Sequence, residues 1–75
     1  MKININYYLD KLIFTTIEVD HYDYIKTIKD KIDCNIDDKF ITYIFNKHKL
    51  EHDKTFAYYE ILDNYTIDII RKFGI

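Results

Sequence analysis

From Met1 to Val19 the chain alternates apolar and polar residues with a period of two. Met1, Ile3 and Ile5 alternate with Lys2, Asn4 and Asn6, and Ile13, Thr15, Ile17 and Val19 alternate with Phe14, Thr16 and Glu18. Successive side chains of an extended strand point to opposite faces, so each run describes a strand with one buried face. A polar turn near Tyr8-Leu9-Asp10-Lys11 joins the two as a hairpin. Over roughly residues 24 to 33 the period changes. Ile25, Ile28 and Ile32 fall at i, i+3 and i+7 on one face of a helix, with Asp23 placed to cap its start. After Asn35, residues 40 to 45 read as a strand, 48 to 50 as a short one, 56 to 59 as a helical turn and 65 to 72 as a closing strand. Several strands and one amphipathic helix give an α+β fold, a mixed β-sheet packed on one α-helix, in a single domain over residues 1 to 75. The predicted core is Ile3, Ile5, Ile17, Val19, Ile25, Ile28, Ile32, Ile36, Tyr43, Leu50, Phe56, Ile61, Ile67 and Ile69.

Composition bounds what such a chain can be. With 75 residues, 48% hydrophobic and 17% aromatic, it holds enough apolar matter for one small core without a metal or a disulfide. The net charge of -2 leaves no basic footprint for nucleic acid. Apolar runs are only a few residues long, too short to span a membrane, and the start has no signal-peptide pattern. A single cysteine cannot close an internal disulfide, which fits a reducing compartment, so cytoplasm or nucleus is expected. The expected state is a monomer.

One stretch carries more specific information. In Tyr43-Ile44-Phe45-Asn46-Lys47-His48-Lys49-Leu50-Glu51-His52-Asp53-Lys54-Thr55-Phe56-Ala57-Tyr58-Tyr59-Glu60-Ile61, the Ile-Phe pair, the Leu-Glu pair, Thr55, Tyr59 and Ile61 follow an order and spacing that resemble the second half of ubiquitin without a gap. Ile17-Glu18-Val19-Asp20, Asp23, Ile25, Ile28, Lys29, Lys31 and Ile32 resemble that family's second strand and helix, offset by two residues inserted in the first hairpin and compensated before Ile36. The resemblance implies a β-grasp fold in which function lies in a surface patch and a C-terminal tail. It also implies that the Tyr59 hydroxyl bonds backbone near Glu51. One departure is the near absence of glycine. Asp10, Asn35, Asn46, Asp53 and Asn64 stand near the predicted turns instead, and Asn and Asp are the residues that enter the left-handed region at least cost after Gly.

No residue grouping argues for catalysis. Cys34 follows the helix without the neighbouring base that a thiol nucleophile needs, and reads as a structural thiol. His48 and His52 have a spacing that could hold zinc on a helix, yet they bracket Leu50 in a strand and turn. Asp37 and Asp38 are adjacent carboxylates without a pocket, the ordinary signature of a solvated turn. There is no glycine-rich phosphate loop. The expectation is a protein without enzymatic activity, cofactor or metal.

A docking surface is the better-supported reading. If Ile41, Tyr43, Ile67 and Ile69 point inward, the pleat sends Thr42, Ile44, Asp68 and Ile70 outward. Tyr8 or Leu9 supplies a third apolar member, and Lys47, His48, Lys49 and Lys72 add positive charge nearby. The resemblance implies that helical ubiquitin-binding domains or proteasomal receptors dock there, which places the chain in the ubiquitin-proteasome pathway. The plain alternative is that the two isoleucines merely cover each other. The family's His between its last-strand residues is Asp68 here and its Arg is Thr42, so the rim is less positive, which bears on specificity and on-rate more than on affinity. A second surface is conceivable around Phe14 with Lys2 and Asn4. The family's two commonest chain-linkage positions are His48 and Asp63, while Lys11, Lys29 and Lys31 match other lysines, so the resemblance implies a poor link for chain extension.

The tail separates the functions that the resemblance allows. Conjugated modifiers of this kind end in glycine, whereas this sequence reads Arg71-Lys72-Phe73-Gly74-Ile75. As it stands it resembles a non-conjugated interaction domain. The alternative is a modifier precursor attached through Gly74 after removal of Ile75. A third class, a small ubiquitin-like protein held non-covalently by splicing factors, shares the weak Tyr59-Glu60-Ile61 signature but ends in a tyrosine pair.

Overall fold

The computed structural model describes residues 1–8 and 12–71. The expectations placed on Leu9, Asp10, Lys11, Lys72, Phe73, Gly74 and Ile75 lie outside the described residues. Two alternating segments become β1 (Lys2–Tyr8) and β2 (Leu12–Glu18), antiparallel in a continuous register from Lys2 opposite Glu18 to Tyr8 opposite Leu12. They are followed by a short helix α1 (Thr27–Lys31) and a 3₁₀ turn (Asp38–Phe40). Three more strands complete the fold: β3 (Ile41–Phe45), β4 (His48–Leu50) and β5 (Thr66–Arg71). They form one mixed sheet in the order β2-β1-β5-β3-β4, with β5 parallel to β1 and antiparallel to β3.

The core fills the side of the sheet that faces α1. One row runs Tyr7, Ile69, Tyr43 and Leu50 across four strands, and a second pairs Ile5 with Ile67. With Ile3, Ile17, Val19, Ile25, Ile28, Ile41, Phe56 and Ile61 these side chains are buried, except Tyr7, which packs half-buried at the end of its row. Each such burial contributes about 2 kcal/mol, although part is offset by lost chain entropy. Ile41 joins the core, while Ile32 and Ile36 only pack against its rim half-buried. Both follow the short helix, where the chain turns away towards the 3₁₀ turn.

The helix is shorter than its periodicity predicts, and Asp23 does not cap it. Tyr24 forms a β-bridge with Thr55, and the amides of Ile25 and Lys26 donate to the carbonyls of Lys54 (2.8 Å) and His52 (3.1 Å). The bridge holds Tyr24 out of the helix, and Phe56 N–H takes the Asp23 carbonyl (3.2 Å) that would accept the first bond of a longer one. Asp23 instead accepts from Asp20 N–H at 2.8 Å and closes the preceding turn. At the other end Asp33 takes φ 54°, and Cys34 N–H reaches back to Lys29 C=O at 3.0 Å. That pairing is a Schellman ending with Asp in the position glycine usually holds. A helix of five residues has no stability of its own, so its place depends on the burial of Ile25 and Ile28.

The remaining turns also do without glycine. Asn46 (φ 52°) and Lys47 (φ 69°) form the two-residue loop between Phe45 and His48, the conformation that favours Asn-Gly. Glu60 and Asn64 also adopt positive φ, whereas Asn35 and Asp53 do not. Asn64 sits where the chain enters β5: its amide donates to Lys2 C=O at 2.7 Å, and Lys2 N–H donates to Asp63 Oδ1 at 2.6 Å. The loop over residues 51 to 61 is tied by Glu51 N–H donating to Tyr59 Oη at 2.7 Å, the bond that the sequence resemblance implies.

Two substitutions test these constraints. Tyr59→Phe leaves the Glu51 amide without that partner and is expected to cost about 1 kcal/mol, a fall of several degrees in Tm by thermal denaturation. Lys47→Gly removes the left-handed strain of a non-glycine residue and is expected to add about 0.5 to 1 kcal/mol in urea denaturation. An unchanged midpoint in either case refutes the corresponding account.

Candidate functional site

The outer face of the sheet is set by the same pleat that builds the core. Along one row Leu12, Tyr8, Ile70 and Thr42 stand side by side on β2, β1, β5 and β3. The next row runs Phe14, Asn6, Asp68, Ile44 and Lys49 across all five strands. Phe14 (66% exposed), Leu12 (51%), Tyr8 (45%) and Ile70 (40%) are therefore neighbours on one surface. Ile44 is diagonal to Ile70 and joins them, half-buried, because Asp68 and Lys49 stand on either side of it.

The sequence marks Tyr8, Ile44 and Ile70 for this face, and the register brings them together. It also adds Leu12, whose exposure follows from the hairpin pairing: Leu12 directly opposes Tyr8. The same even-numbered alternation that places Phe14 outward was the available signal. Phe14, read from the sequence as a separate surface with Lys2 and Asn4, lies one step diagonal to Tyr8 and belongs to the same face. His48 opposes Phe45, one residue out of step with Ile44, and Lys49 is the basic residue beside Ile44. Lys47 occupies the tight turn.

Electrostatically the centre of the face carries one carboxylate, Asp68. Its Oδ1 accepts from Asn6 Nδ2 at 3.2 Å, which fixes its position on the outer face beside Ile44. Thr16 Oγ1 donates to Asn4 Oδ1 at 3.0 Å further along the same surface. These side-chain bonds satisfy polar groups within the sheet, beside the exposed side chains of Tyr8, Leu12, Phe14 and Ile70.

The helix side has a different character. An open cleft of about 600 Å³ lies between the 3₁₀ turn and β4, lined by Asp38, Lys39, Ile41, Leu50 and His52 among others. Asp38 Oδ1 there lies 3.5 Å from Lys29 Nζ, an ion pair that ties the turn to the helix, and 3.9 Å from His52 Nδ1. His52 also meets the edge of the buried Tyr43 ring, with centroids 5.1 Å apart. Burial, reinforced by the Asp38 carboxylate, pushes the Tyr43 phenol well above its ordinary range. Among the described residues, no three His, Cys, Asp or Glu side chains gather into a metal centre, and no helix is long and apolar enough to cross a membrane. No protein-family model matches the chain, and no curated protein matches it significantly.

The raised Tyr43 pKa makes a pH prediction. Its neutral form is favoured by folding, so the contribution is complete below the unfolded value of about 10 and lost as pH rises through and above it. Stability is expected to fall by up to about 1.4 kcal/mol per pH unit in that alkaline window. Tyr43→Phe should flatten this limb in urea titrations between about pH 9 and 11; an equally steep limb in the variant removes Tyr43 as its source.

Proposed function

We propose that this chain is a ubiquitin-like domain of the β-grasp type that acts without catalysis, as a non-conjugated interaction module for helical ubiquitin-binding domains or proteasomal receptors. The observation that carries the proposal is the apolar row Leu12, Tyr8 and Ile70 with Ile44 diagonal to it, continuous over four strands. The order and spacing of residues 43 to 61, the sheet order with its parallel central pair, and the Tyr59 bond to Glu51 support the same reading.

The mechanism is burial of that row against the apolar stripe of an amphipathic helix. A flat patch of this kind covers a few hundred Å², which suits a weak, transient interface with micromolar or weaker affinity. A helix offers side chains at i, i+3 and i+4 that can straddle the step between the Ile70 and Ile44 rows. Asp68 lies directly beside Ile44 in its row and favours partners with a basic or neutral residue at the helix centre. The aromatic tips of Tyr8 and Phe14 extend the contact area at small cost in conformational freedom.

Titration of the labelled chain with a helical ubiquitin-binding domain, followed by NMR, tests the reading. Shift changes are expected at Tyr8, Leu12, Ile44, Asp68 and Ile70. Ile70→Ala should weaken binding about tenfold with a smaller loss of stability than a core truncation, because its side chain is 40% exposed. Ile44→Ala should weaken binding similarly but also lower stability by about 1 kcal/mol, because that side chain is half-buried. Asp68→His should tighten partners that present acidic residues. Shifts confined to the helix side, or none at about 1 mM partner, reject the proposal.

A further inference from the structure

β2 is an outer strand of the sheet, and the parity of its hydrogen bonds can be worked out. Met1 and Val19 exchange both backbone bonds, with Met1 N donating to Val19 C=O at 2.6 Å and Val19 N–H donating to Met1 C=O at 2.9 Å. In an antiparallel pair such mutually bonded positions alternate with positions whose backbone groups point away. Ile17, Thr15 and Ile13 therefore bond to β1, and Glu18, Thr16, Phe14 and Leu12 direct their N–H and C=O groups off the edge of the sheet. The other side of β1 agrees: Asn4 N–H donates to Tyr65 C=O at 2.9 Å and Lys2 C=O accepts from Asn64, both away from β2. No backbone–backbone or side-chain bond from a described residue reaches the outward groups of Leu12, Phe14, Thr16 and Glu18.

Natural sheets guard such edges with lysine, proline, a bulge or a very short strand. Leu12–Glu18 has none of these. It is seven residues long, pairs one-to-one with β1 without a bulge, and its sequence LIFTTIE contains a single charge at its last position.

We propose that β2 pairs with β2 of a second copy of this chain, antiparallel about a two-fold axis at Thr15, joining two sheets into one. The self-complementarity of the strand argues for this occupant. A two-fold at Thr15 places Leu12 opposite the second copy's Glu18 and Phe14 opposite its Thr16, so every outward N–H meets an outward C=O, giving about eight interchain hydrogen bonds. It also sets the two Glu18 carboxylates at opposite ends of the interface, where a parallel arrangement would set them side by side. Phe14, the most exposed apolar residue of the strand at 66%, becomes a diagonal neighbour of its own mate across the axis, within aromatic reach. The two outer faces then align on one side of the joined sheet, with the two Phe14 rings meeting at the junction and each Leu12 row ending on the second copy's Glu18. Ile13 and Thr15, half-buried on the other face, gain cover at the same time. Two seven-residue strands bury well under the roughly 1,000 Å² of a stable interface, so the dimer forms only at high concentration and the chain is monomeric when dilute.

Sedimentation and amide hydrogen exchange of the intact chain over about 10 µM to 1 mM test the proposal. The apparent mass is expected to rise from 9.2 kDa towards twice that value, and exchange at Leu12, Phe14, Thr16 and Glu18 to slow with concentration while Ile13, Thr15 and Ile17 stay protected throughout. Phe14→Lys puts two cations beside the axis and should weaken association at least tenfold. Thr16→Pro deletes one outward N–H without touching the ladder to β1 and should do the same, with far-UV circular dichroism unchanged. Ile70→Ala should leave association intact, which separates this edge from the docking face. A mass of 9.2 kDa at about 1 mM overturns the proposal, as does association that survives Phe14→Lys or slowed exchange confined to β5.

Discussion

The whole sheet depends on β5 entering between β1 and β3. Ile67 pairs with Ile5, and Ile69 pairs with Tyr7 on one side and Tyr43 on the other, so the last strand supplies the central ridge of the core. Without it the structure is two separate hairpins, and a lone hairpin is marginal in water. The parallel pairing of β1 with β5 requires a long crossover, which α1, the 3₁₀ turn and the β3–β4 hairpin provide. The entry is fixed by polar detail: Asp63 and Asn64 bind both backbone groups of Lys2, and Tyr65 stacks on Phe45 with centroids 5.4 Å apart. These contacts set the register of β5, and a slip of one residue would exchange its buried isoleucines for Asp68 and Ile70.

That register also creates the outer face. A pleated strand cannot bury Ile67 and Ile69 without presenting Asp68 and Ile70, so the core and the proposed docking surface follow from one alternation. The outer apolar residues stand next to one another because the strands are adjacent, although Leu12 and Ile70 are far apart in the chain. In the proposed docking surface Asp68, held by Asn6 beside Ile44, would discriminate among partners by charge. The unguarded edge of β2 borders this face, so pairing of two copies would place the two outer faces on the same side of one sheet, joined at Phe14, without rearranging either.

The irregular segments are ordered by hydrogen bonds more than by burial. The loops around residues 20 to 26 and 52 to 57 hold each other through Tyr24 with Thr55, Phe56 N–H to Asp23 C=O at 3.2 Å and Ala57 N–H to His21 C=O at 2.9 Å. Phe56 and Ile61 anchor the second loop in the core, and Tyr59 binds its start. Left-handed positions filled by Asp33, Asn46, Lys47, Glu60 and Asn64 carry a cost of about 1 kcal/mol or so each compared with glycine, and the surrounding structure offsets it.

Local pattern carried much of this architecture. Alternation along residues 1 to 19, 41 to 45 and 66 to 71 determined which side chains face inward, because strand side chains alternate whatever lies beside them. It placed Tyr8, Ile44 and Ile70 on the outer face and all but Ile32 and Ile36 of the predicted core at buried positions. What local pattern could not hold was anything decided by a partner remote in sequence. The helix begins only at Thr27 because Tyr24 bridges Thr55 and Phe56 takes the Asp23 carbonyl, and Asp33 rather than Asn35 turns left-handed because the helix ends where it does. Phe14 and Leu12 belong with Ile70 because β1 lies between β2 and β5. A strand's period is written in its own residues, but its neighbours are chosen by the burial of the whole core, and only the tertiary structure makes that choice.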